Sequence, residues 1–170
     1  LVKKPKNLTS KQAMILGTAG LTALQCAFAV KAREELLLGD KVNDVIVSGS
    51  SGGVGSISVM VLNKFGYNVT AVSSKKNNNE YLKSLGAKNI IDTKDLNTES
   101  RPLDKGLYDG AVDTVGGNVL SKILSHIKET GIVASCGNAL GIKLNTTVMP
   151  FIIRGVKLWG INSVNTSTKR

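Results

Sequence analysis

The run Val45-Ile46-Val47-Ser48-Gly49-Ser50-Ser51-Gly52-Gly53-Val54-Gly55-Ser56 constrains this chain more than any other stretch. A β-branched apolar run ends in glycines, and a segment with helically spaced apolar residues follows (Ile57, Val59, Met60, Val61, Leu62, Phe65). That succession reads as a strand, a tight loop and a helix N-terminus, the opening of a dinucleotide-binding unit. Small residues let the backbone approach a pyrophosphate closely, and the free N–H groups at the positive end of the helix dipole attract it. The sextet Ser50-Ser51-Gly52-Gly53-Val54-Gly55 departs from G-x-G-x-x-G at its first position, where Ser50 stands.

The second half of the unit is also legible. Gly66 stops the helix, and Asn68-Val69-Thr70-Ala71-Val72-Ser73-Ser74 reads as a second strand. An Asp or Glu at the end of that strand would grip the 2′-hydroxyl of NAD, about twenty residues beyond the glycine loop. Here the chain offers Ser73, Ser74, Lys75 and Lys76. Hydroxyls and cations suit a 2′-phosphate, so the expected cofactor is NADP; the same lysines would also suit a solvated loop.

Along the rest of the chain, Thr9 or Ser10 caps a helix that begins near Lys11, is interrupted at Gly17-Thr18-Ala19-Gly20 and resumes to about Leu36. Gly39-Asp40 turns into the first strand, Val45 to Gly49. A helix from about Asn78 ends at Gly86, and a short third strand covers Asn89 to Asp92. Residues 93–107 read as a loop in which any helix is brief. Strand four is Tyr108 to Thr114. A helix from about Asn118 to Lys128 buries Val119, Leu120, Ile123, Leu124 and Ile127, and strand five is Gly131 to Cys136. A long loop leads through Met149-Pro150 and a short helix to strand six, about Val156 to Ile161. Strands alternating with helices predict an α/β fold: a doubly wound, parallel, six-stranded Rossmann sheet in the order 3-2-1-4-5-6.

Composition bounds the remaining possibilities. A chain of 170 residues is most simply one domain. Its apolar runs read as far short of a bilayer span and no leader pattern opens it, which predicts a cytoplasmic protein with no membrane partner. The net charge of +10 raises nucleic acid as a partner, but the lysines are dispersed and aromatics make up only 4%. Without a stacking platform or an Arg-rich face, no nucleic-acid partner is expected. Cys26 and Cys136 are far apart and His126 is the only histidine, so neither a disulfide framework nor a metal site is expected.

A ligand in such a sheet lies across the carboxyl ends of the strands, where strands one and four diverge. Thr114 ends strand four, where its hydroxyl could reach a ribose or adenine or satisfy its own turn. Cys136 is placed to line the nicotinamide pocket but reads as a buried inert thiol rather than a reactive one, and His126 falls on the far side of the sheet in a structural or surface role. Asp113 is the only acid near the pocket, and one unpaired carboxylate does not make a catalytic site. The catalytic residues are left unknown.

Five segments carry a family resemblance: Gly17-Thr-Ala-Gly-Leu-Thr-Ala23, Val47-Ser-Gly-Ser-Ser-Gly-Gly-Val-Gly-Ser56, Glu80-Tyr-Leu-Lys-Ser-Leu-Gly-Ala87, Asp113-Thr-Val-Gly-Gly117 and Thr146-Thr-Val-Met-Pro-Phe-Ile-Ile-Arg154. Together they resemble the quinone-oxidoreductase-like branch of the zinc-free medium-chain dehydrogenases/reductases, and within it the acryloyl-CoA reductase subfamily, which uses NADPH. The resemblance implies a fragment of a two-domain enzyme whose GroES-like catalytic domain is mostly absent. Residues 1–36 would be linking helices, 37–165 the cofactor domain and 166–170 the start of the connection back. It also implies that Ser51, Gly52, Gly53 and Val54 hold the pyrophosphate, and that Ser73, Ser74 and Lys75 hold the 2′-phosphate. Thr114 would contact the adenosine half, and Leu158 would offer its backbone to the nicotinamide carboxamide. Lys75 stands where relatives have arginine, and Thr93 replaces another relative's cation.

The implied activity is reduction of an activated C=C bond in a small-molecule substrate, acryloyl-CoA or a related enoyl thioester, by hydride transfer. Quinone reduction is the alternative, and a non-catalytic NADPH sensor or RNA-binding protein is the alternative of another class. Ile15-Leu16-Gly17 stands where zinc-dependent relatives place a ligand cysteine, so the resemblance implies no catalytic zinc. Strand six, Val156 to Ile161, is expected to form a homodimer edge with Trp159 near the contact.

Overall fold

The computed structural model describes residues 3–36 and 41–166. Gly39-Asp40, the chain beyond residue 166 and the side chain of Lys76 lie outside the described residues. Six parallel strands form one sheet: β1 (Asp44–Val47), β2 (Asn68–Val72), β3 (Ala87–Ile91), β4 (Tyr108–Asp113), β5 (Ile127–Ser135) and β6 (Lys157–Gly160). Their spatial order is β3-β2-β1-β4-β5-β6, as the alternation of strands and helices predicts. In register, Val45 pairs with both Val69 and Gly110, and Val133 pairs with Leu158.

The central strands are buried on both faces, which explains their near-continuous apolar runs. Alternate residues feed two cores. Val45, Val47, Val69, Ala71 and Val112 point to the side of α1 (Ser10–Leu36) and α2 (Gly53–Lys64). Ile46, Val72, Ala111 and Val133 point to the side of α5 (Gly117–Ser125). Three shorter helices, α3 (Asn79–Ser84), α4 (Thr93–Leu96) and α6 (Met149–Arg154), complete the crossovers.

Helix α1 starts from a reciprocal cap. Gln12 N–H donates to Thr9 Oγ1 at 3.2 Å, and Thr9 N–H donates to Gln12 Oε1 at 2.9 Å. The expected interruption narrows to Gly17, whose φ of 19° and ψ of −132° kink the helix. By length and composition α1 could cross a membrane, with a mean hydropathy of 1.7 over its most apolar stretch, so the reading that the apolar runs fall far short of a span does not hold. Its Cys26, Ala27, Ala29 and Val30 nevertheless sit in the core shared with α2 and the sheet. Farther out, Thr22 Oγ1 donates to Ser163 Oγ and Gln25 Nε2 donates to Thr166 Oγ1, both at 2.8 Å, which ties the end of the described chain to α1.

One boundary departs from expectation. Helix α5 ends at Ser125, and Ile127, expected on its buried face, opens β5 opposite Tyr108. The reason is Arg154, whose Nη1 donates to Ser125 O at 2.9 Å and Ile127 O at 3.0 Å. These carbonyls are satisfied without another helical turn. Between Ile127 and Ile132 the strand bulges, and Thr130 takes a left-handed φ of 62°. The floor of the sheet, opposite the ligand side, is pinned by Asp109. It accepts from the N–H of Asn43 at 3.0 Å and of Asp44 at 2.8 Å, pairs with Lys128 at 3.3 Å, and lies 3.8 Å from buried Arg33.

Candidate dinucleotide-binding site

The loop between β1 and α2 is built by contacts that tolerate no extra atom. Gly49 adopts φ +58°, and a Cβ there would meet Thr114 Oγ1 at 2.2 Å. A Cβ on Gly55 would lie 2.2 Å from Gly49 O, so the loop closes against the first turn of α2 only with glycine. Ser50, the departure from the glycine pattern, is wholly buried. Its hydroxyl donates to Val47 O at 2.6 Å and accepts from Val72 N–H at 2.9 Å, lacing β1 to β2. The turn that the missing glycine would make falls to Gly49 instead.

Helix α2 begins after Gly52, which caps it without a side chain, and Gly52 N–H returns to Gly49 O at 2.9 Å. Ser56 N–H bonds to Gly52 O, while the amides of Gly53, Val54 and Gly55 belong to the first turn and lack intrahelical acceptors. The open N-terminus of a twelve-residue helix, framed by Ser51 to Val54, has the form of a pyrophosphate cradle.

Beside it the structure brings Ser51 and Ser73 together. Their hydroxyls are 3.5 Å apart, and Ser73 Oγ accepts from Lys75 N–H at 3.2 Å, curling the end of β2 around itself. Ser73 is buried, whereas Ser74 and Lys75 are exposed. The first residues after β2 therefore present hydroxyls and an ammonium to the corner where a ribose substituent would lie.

Asp113, expected to be an unpaired carboxylate, is the hub of the crevice floor. Fully buried, it accepts from Ser48 Oγ at 2.7 Å, Gly116 N–H at 3.0 Å, Ser135 Oγ at 3.2 Å and Val115 N–H at 3.4 Å. Burial pushes its carboxyl above the usual carboxylate range, and the hydrogen bonds work against that rise. Its partners come from the ends of β1, β4 and β5, so it ties three strand ends to the turn that starts α5. The one signal for this in the sequence is an acid closing the apolar run Gly110-Ala111-Val112. Thr114 serves the same floor: its Oγ1 donates to Ser48 O at 3.0 Å and its N–H donates to Ser48 Oγ at 2.9 Å.

The far half of the crevice holds a cavity of about 480 Å³ lined by Ser135, Cys136, Gly137, Asn138, Gly160, Ile161 and Asn162. Leu158 is not among them. It lies in the middle of β6, paired with Val133, and the strand end that reaches the cavity is Gly160 to Asn162. His126 is on the other end of the sheet, with Nδ1 3.0 Å from Lys105 O and Nε2 4.0 Å from Asp104. Cys26 and Cys136, distant in sequence, meet in one core: Cys136 packs against the buried cluster to which α1 contributes Cys26.

A family model described as zinc-binding dehydrogenase matches residues 53–170. The chain belongs to that family. It is 48% identical over its whole length to the probable acrylyl-CoA reductase AcuI of Escherichia coli, of which it covers 51%. It is 44% identical over 165 residues to the putative quinone oxidoreductase YhfP of Bacillus subtilis, covering 96% of this chain and 49% of that one. The solved YhfP structure, with NAD bound, matches 99% of this chain and 50% of its own, with 43% identity and a TM-score of 0.87. The yhdH oxidoreductase of Salmonella enterica, solved in complex with NADP, matches 99% of this chain and 51% of its own, with 48% identity and a TM-score of 0.92. The chain thus spans about half the length of the curated relatives it matches.

The family's name implies zinc, but the residues here do not fit one. Among the described residues no three His, Cys, Asp or Glu side chains converge to hold a metal. One thiol, Cys26, is sealed in the core, and the imidazole is at the opposite end of the sheet from Cys136. A dinucleotide fits better, because the first amides of α2 lack intrahelical acceptors and the Ser51 and Ser73 hydroxyls stand beside them.

Proposed function

We propose that this chain is the NADP-binding half of a reductase that acts on an activated carbon–carbon double bond, with acryloyl-CoA or a related enoyl thioester as substrate. The observation that carries the reading is the Ser51–Ser73 pair with Lys75 beside it, next to a glycine loop and with no acid at the end of β2. A carboxylate there would repel a 2′-phosphate, whereas hydroxyls and an ammonium stabilise it. The relatives named acrylyl-CoA reductase and solved with NADP support this choice.

When bound, NADPH supplies the hydride. The residues of this chain hold and orient it: the α2 amides and Ser51 to Val54 at the pyrophosphate, Ser73, Ser74 and Lys75 at the 2′-phosphate, and Thr114 at the adenosine half. The cavity between Cys136 and Asn162 takes the nicotinamide end. We assign the backbone contact to the carboxamide, expected at Leu158, to this strand end. Reduction of an enoyl thioester would place enolate charge on the thioester oxygen, which would need a hydrogen-bond donor, and the α-carbon would need a proton. Asp113 is spent on four structural hydrogen bonds and His126 is remote, so we assign donor and proton source to the remainder of the full-length protein. The reading further includes a cytoplasmic location and a homodimer joined along β6.

The test is NADPH oxidation by the full-length protein with acryloyl-CoA and with quinones. Saturable turnover of the thioester, with NADPH binding but no turnover by the 170-residue chain, is the expected result. Activity on quinones alone moves the function to quinone reduction, the alternative that the YhfP relative favours. Robust turnover by the 170-residue chain refutes the placement of the catalytic groups.

A further inference from the structure

Beyond the place of Cys136 in the cavity wall, the Cys26–Cys136 pair has no assigned part. Both are free thiols. Cys26 is sealed in the core shared by α1, α2 and the sheet, whereas Cys136 is half-buried at the end of β5 and opens on the cavity. Cys136 is held against the end of β4. Its N–H donates to Asp113 O at 2.9 Å, and in the thiol form its Sγ–H donates to the same oxygen at 3.5 Å. The next residue, Gly137, abuts Thr114 so closely that a Cβ would meet Thr114 O at 2.3 Å. One thiol can meet a small molecule from the cavity, and the other can meet only its neighbour.

We propose that Cys136 and Cys26 form an oxidant-sensitive dithiol, in which Cys136 is the thiol attacked from the cavity and Cys26 resolves it as an intramolecular disulfide that opposes dinucleotide binding. An accessible cysteine beside a resolving one is the arrangement of redox-sensing thiols. The oxidant class is a peroxide. The Cys136 thiolate attacks one peroxide oxygen, the O–O bond breaks, and the departing hydroxide takes up a proton as water, which leaves a sulfenic acid. The Cys26 sulfur then attacks the Cys136 sulfur. The S–O bond breaks, and the hydroxyl leaves as a second water with the Cys26 proton. Two thiols and one hydrogen peroxide give one disulfide and two waters.

The electrostatics assign the same roles. Hydrogen bonding to Cys136 and burial both push the Cys26 thiol far above its ordinary range, so it is inert until a partner is activated. The same hydrogen bond favours the Cys136 thiolate and outweighs burial and the nearby Asp113 charge, holding Cys136 below its ordinary value. Because Cys136 and Gly137 form part of the cavity wall and pack without slack on Asp113 and Thr114, drawing the Cys136 sulfur toward α1 reshapes the wall where the nicotinamide end is placed. This consequence rests on the proposed cofactor reading; the dithiol itself does not.

The experiment treats the intact protein with hydrogen peroxide, maps its peptides without reduction, and titrates NADPH into the reduced and oxidised forms. The expected results are a linked Cys26–Cys136 peptide that dithiothreitol releases and an NADPH affinity about tenfold weaker in the oxidised form. Cys26→Ala should accumulate a sulfenic acid at Cys136 that dimedone traps. In Cys136→Ser, Cys26 should stay unmodified. Absence of the linked peptide, with Cys136 unreacted or oxidised beyond sulfenic acid in the unsubstituted protein, overturns the proposal. So do equal affinities in the two forms. If the reduced protein fails to bind NADPH while the linked peptide still forms, the cofactor reading fails and the dithiol stands.

Discussion

Ser48 Oγ donates to Asp113 at 2.7 Å and accepts from Thr114 N–H at 2.9 Å, so one hydroxyl at the end of β1 fixes the end of β4. This relationship sets the crevice floor. β1 and β4 diverge here, with their following helices on opposite faces of the sheet, and a gap at this point is where a doubly wound sheet receives its ligand. The gap keeps a fixed shape because Asp113 also holds Ser135 and the turn at Gly116.

Asp113→Ala should therefore destabilise the fold by about 3 kcal/mol, since it strands two hydroxyls and two buried N–H donors. Asp113→Asn should not restore the lost stability, because each carboxylate oxygen faces a backbone N–H, of Val115 or Gly116, and whichever position takes the amide NH2 sets donor against donor. Denaturant midpoints check both, and an Asn variant with unsubstituted stability would remove Asp113 from this role.

Two glycines separate steric need from conformational strain. Gly66 has φ +91° with nothing within 4 Å of an added Cβ, so Gly66→Ala should cost only about 1 kcal/mol, the price of a left-handed residue. Gly55→Ala drives a Cβ to 2.2 Å from Gly49 O in backbone that cannot yield cheaply. It should lower thermal stability markedly more than Gly66→Ala and abolish dinucleotide binding. Calorimetric scans of the two variants with and without NADPH decide the point.

Cofactor choice is tested at Lys75. Its ammonium is exposed, so its gain toward a 2′-phosphate is moderated by solvent, and a preference for NADPH over NADH of about tenfold is expected. Lys75→Glu should remove or invert it by placing like charges together. Equal calorimetric affinities for the two dinucleotides in the unsubstituted protein would sink the NADP assignment.

The fold was legible because its signals are local. Apolar strands, glycine stops and a 3.6-residue spacing set the six strands and their order, and the β1–α2 loop announced itself through its glycines. What escaped depends on contacts between distant residues. Nothing near Ile127 says that Arg154 will satisfy the end of α5, so the helix was expected to run on. Nothing near Cys136 says that α1 lays Cys26 beside it. The kink at Gly17 let a 27-residue apolar helix read as two shorter pieces.

Acid stability should depend on Asp104. Its carboxyl accepts from Lys122 Nζ at 2.8 Å and Ser125 Oγ at 2.9 Å. The Lys122 hydrogen bond leads in holding it below the ordinary value of 3.8, against burial, which raises it. A carboxyl whose folded pKa is depressed binds fewer protons folded than unfolded in that window. Its stabilisation is fully present above 3.8 and is lost as pH falls through the folded value. Asp104→Asn should lower stability at neutral pH and flatten its decline below that point. Urea midpoints measured across the acid range would show it, and parallel declines in the two proteins would exclude Asp104 as the source.

The last prediction concerns β6. Lys157, Trp159 and Gly160 are exposed on a strand that, among the described residues, pairs only with β5, so its outer edge there offers unpaired N–H and C=O groups with Trp159 47% exposed beside them. An open edge with an apolar ring favours strand addition, and a second copy meeting it antiparallel would extend both sheets across a two-fold axis. Ile152 and Ile153, exposed on the preceding α6, add apolar surface close by in sequence. The protein should sediment as a dimer at tens of micromolar. Trp159→Asp should shift it to monomer, because two carboxylates would face each other near the axis at a cost of roughly several kcal/mol. A clean monomer before substitution, or a dimer indifferent to the new charges, would place the contact elsewhere.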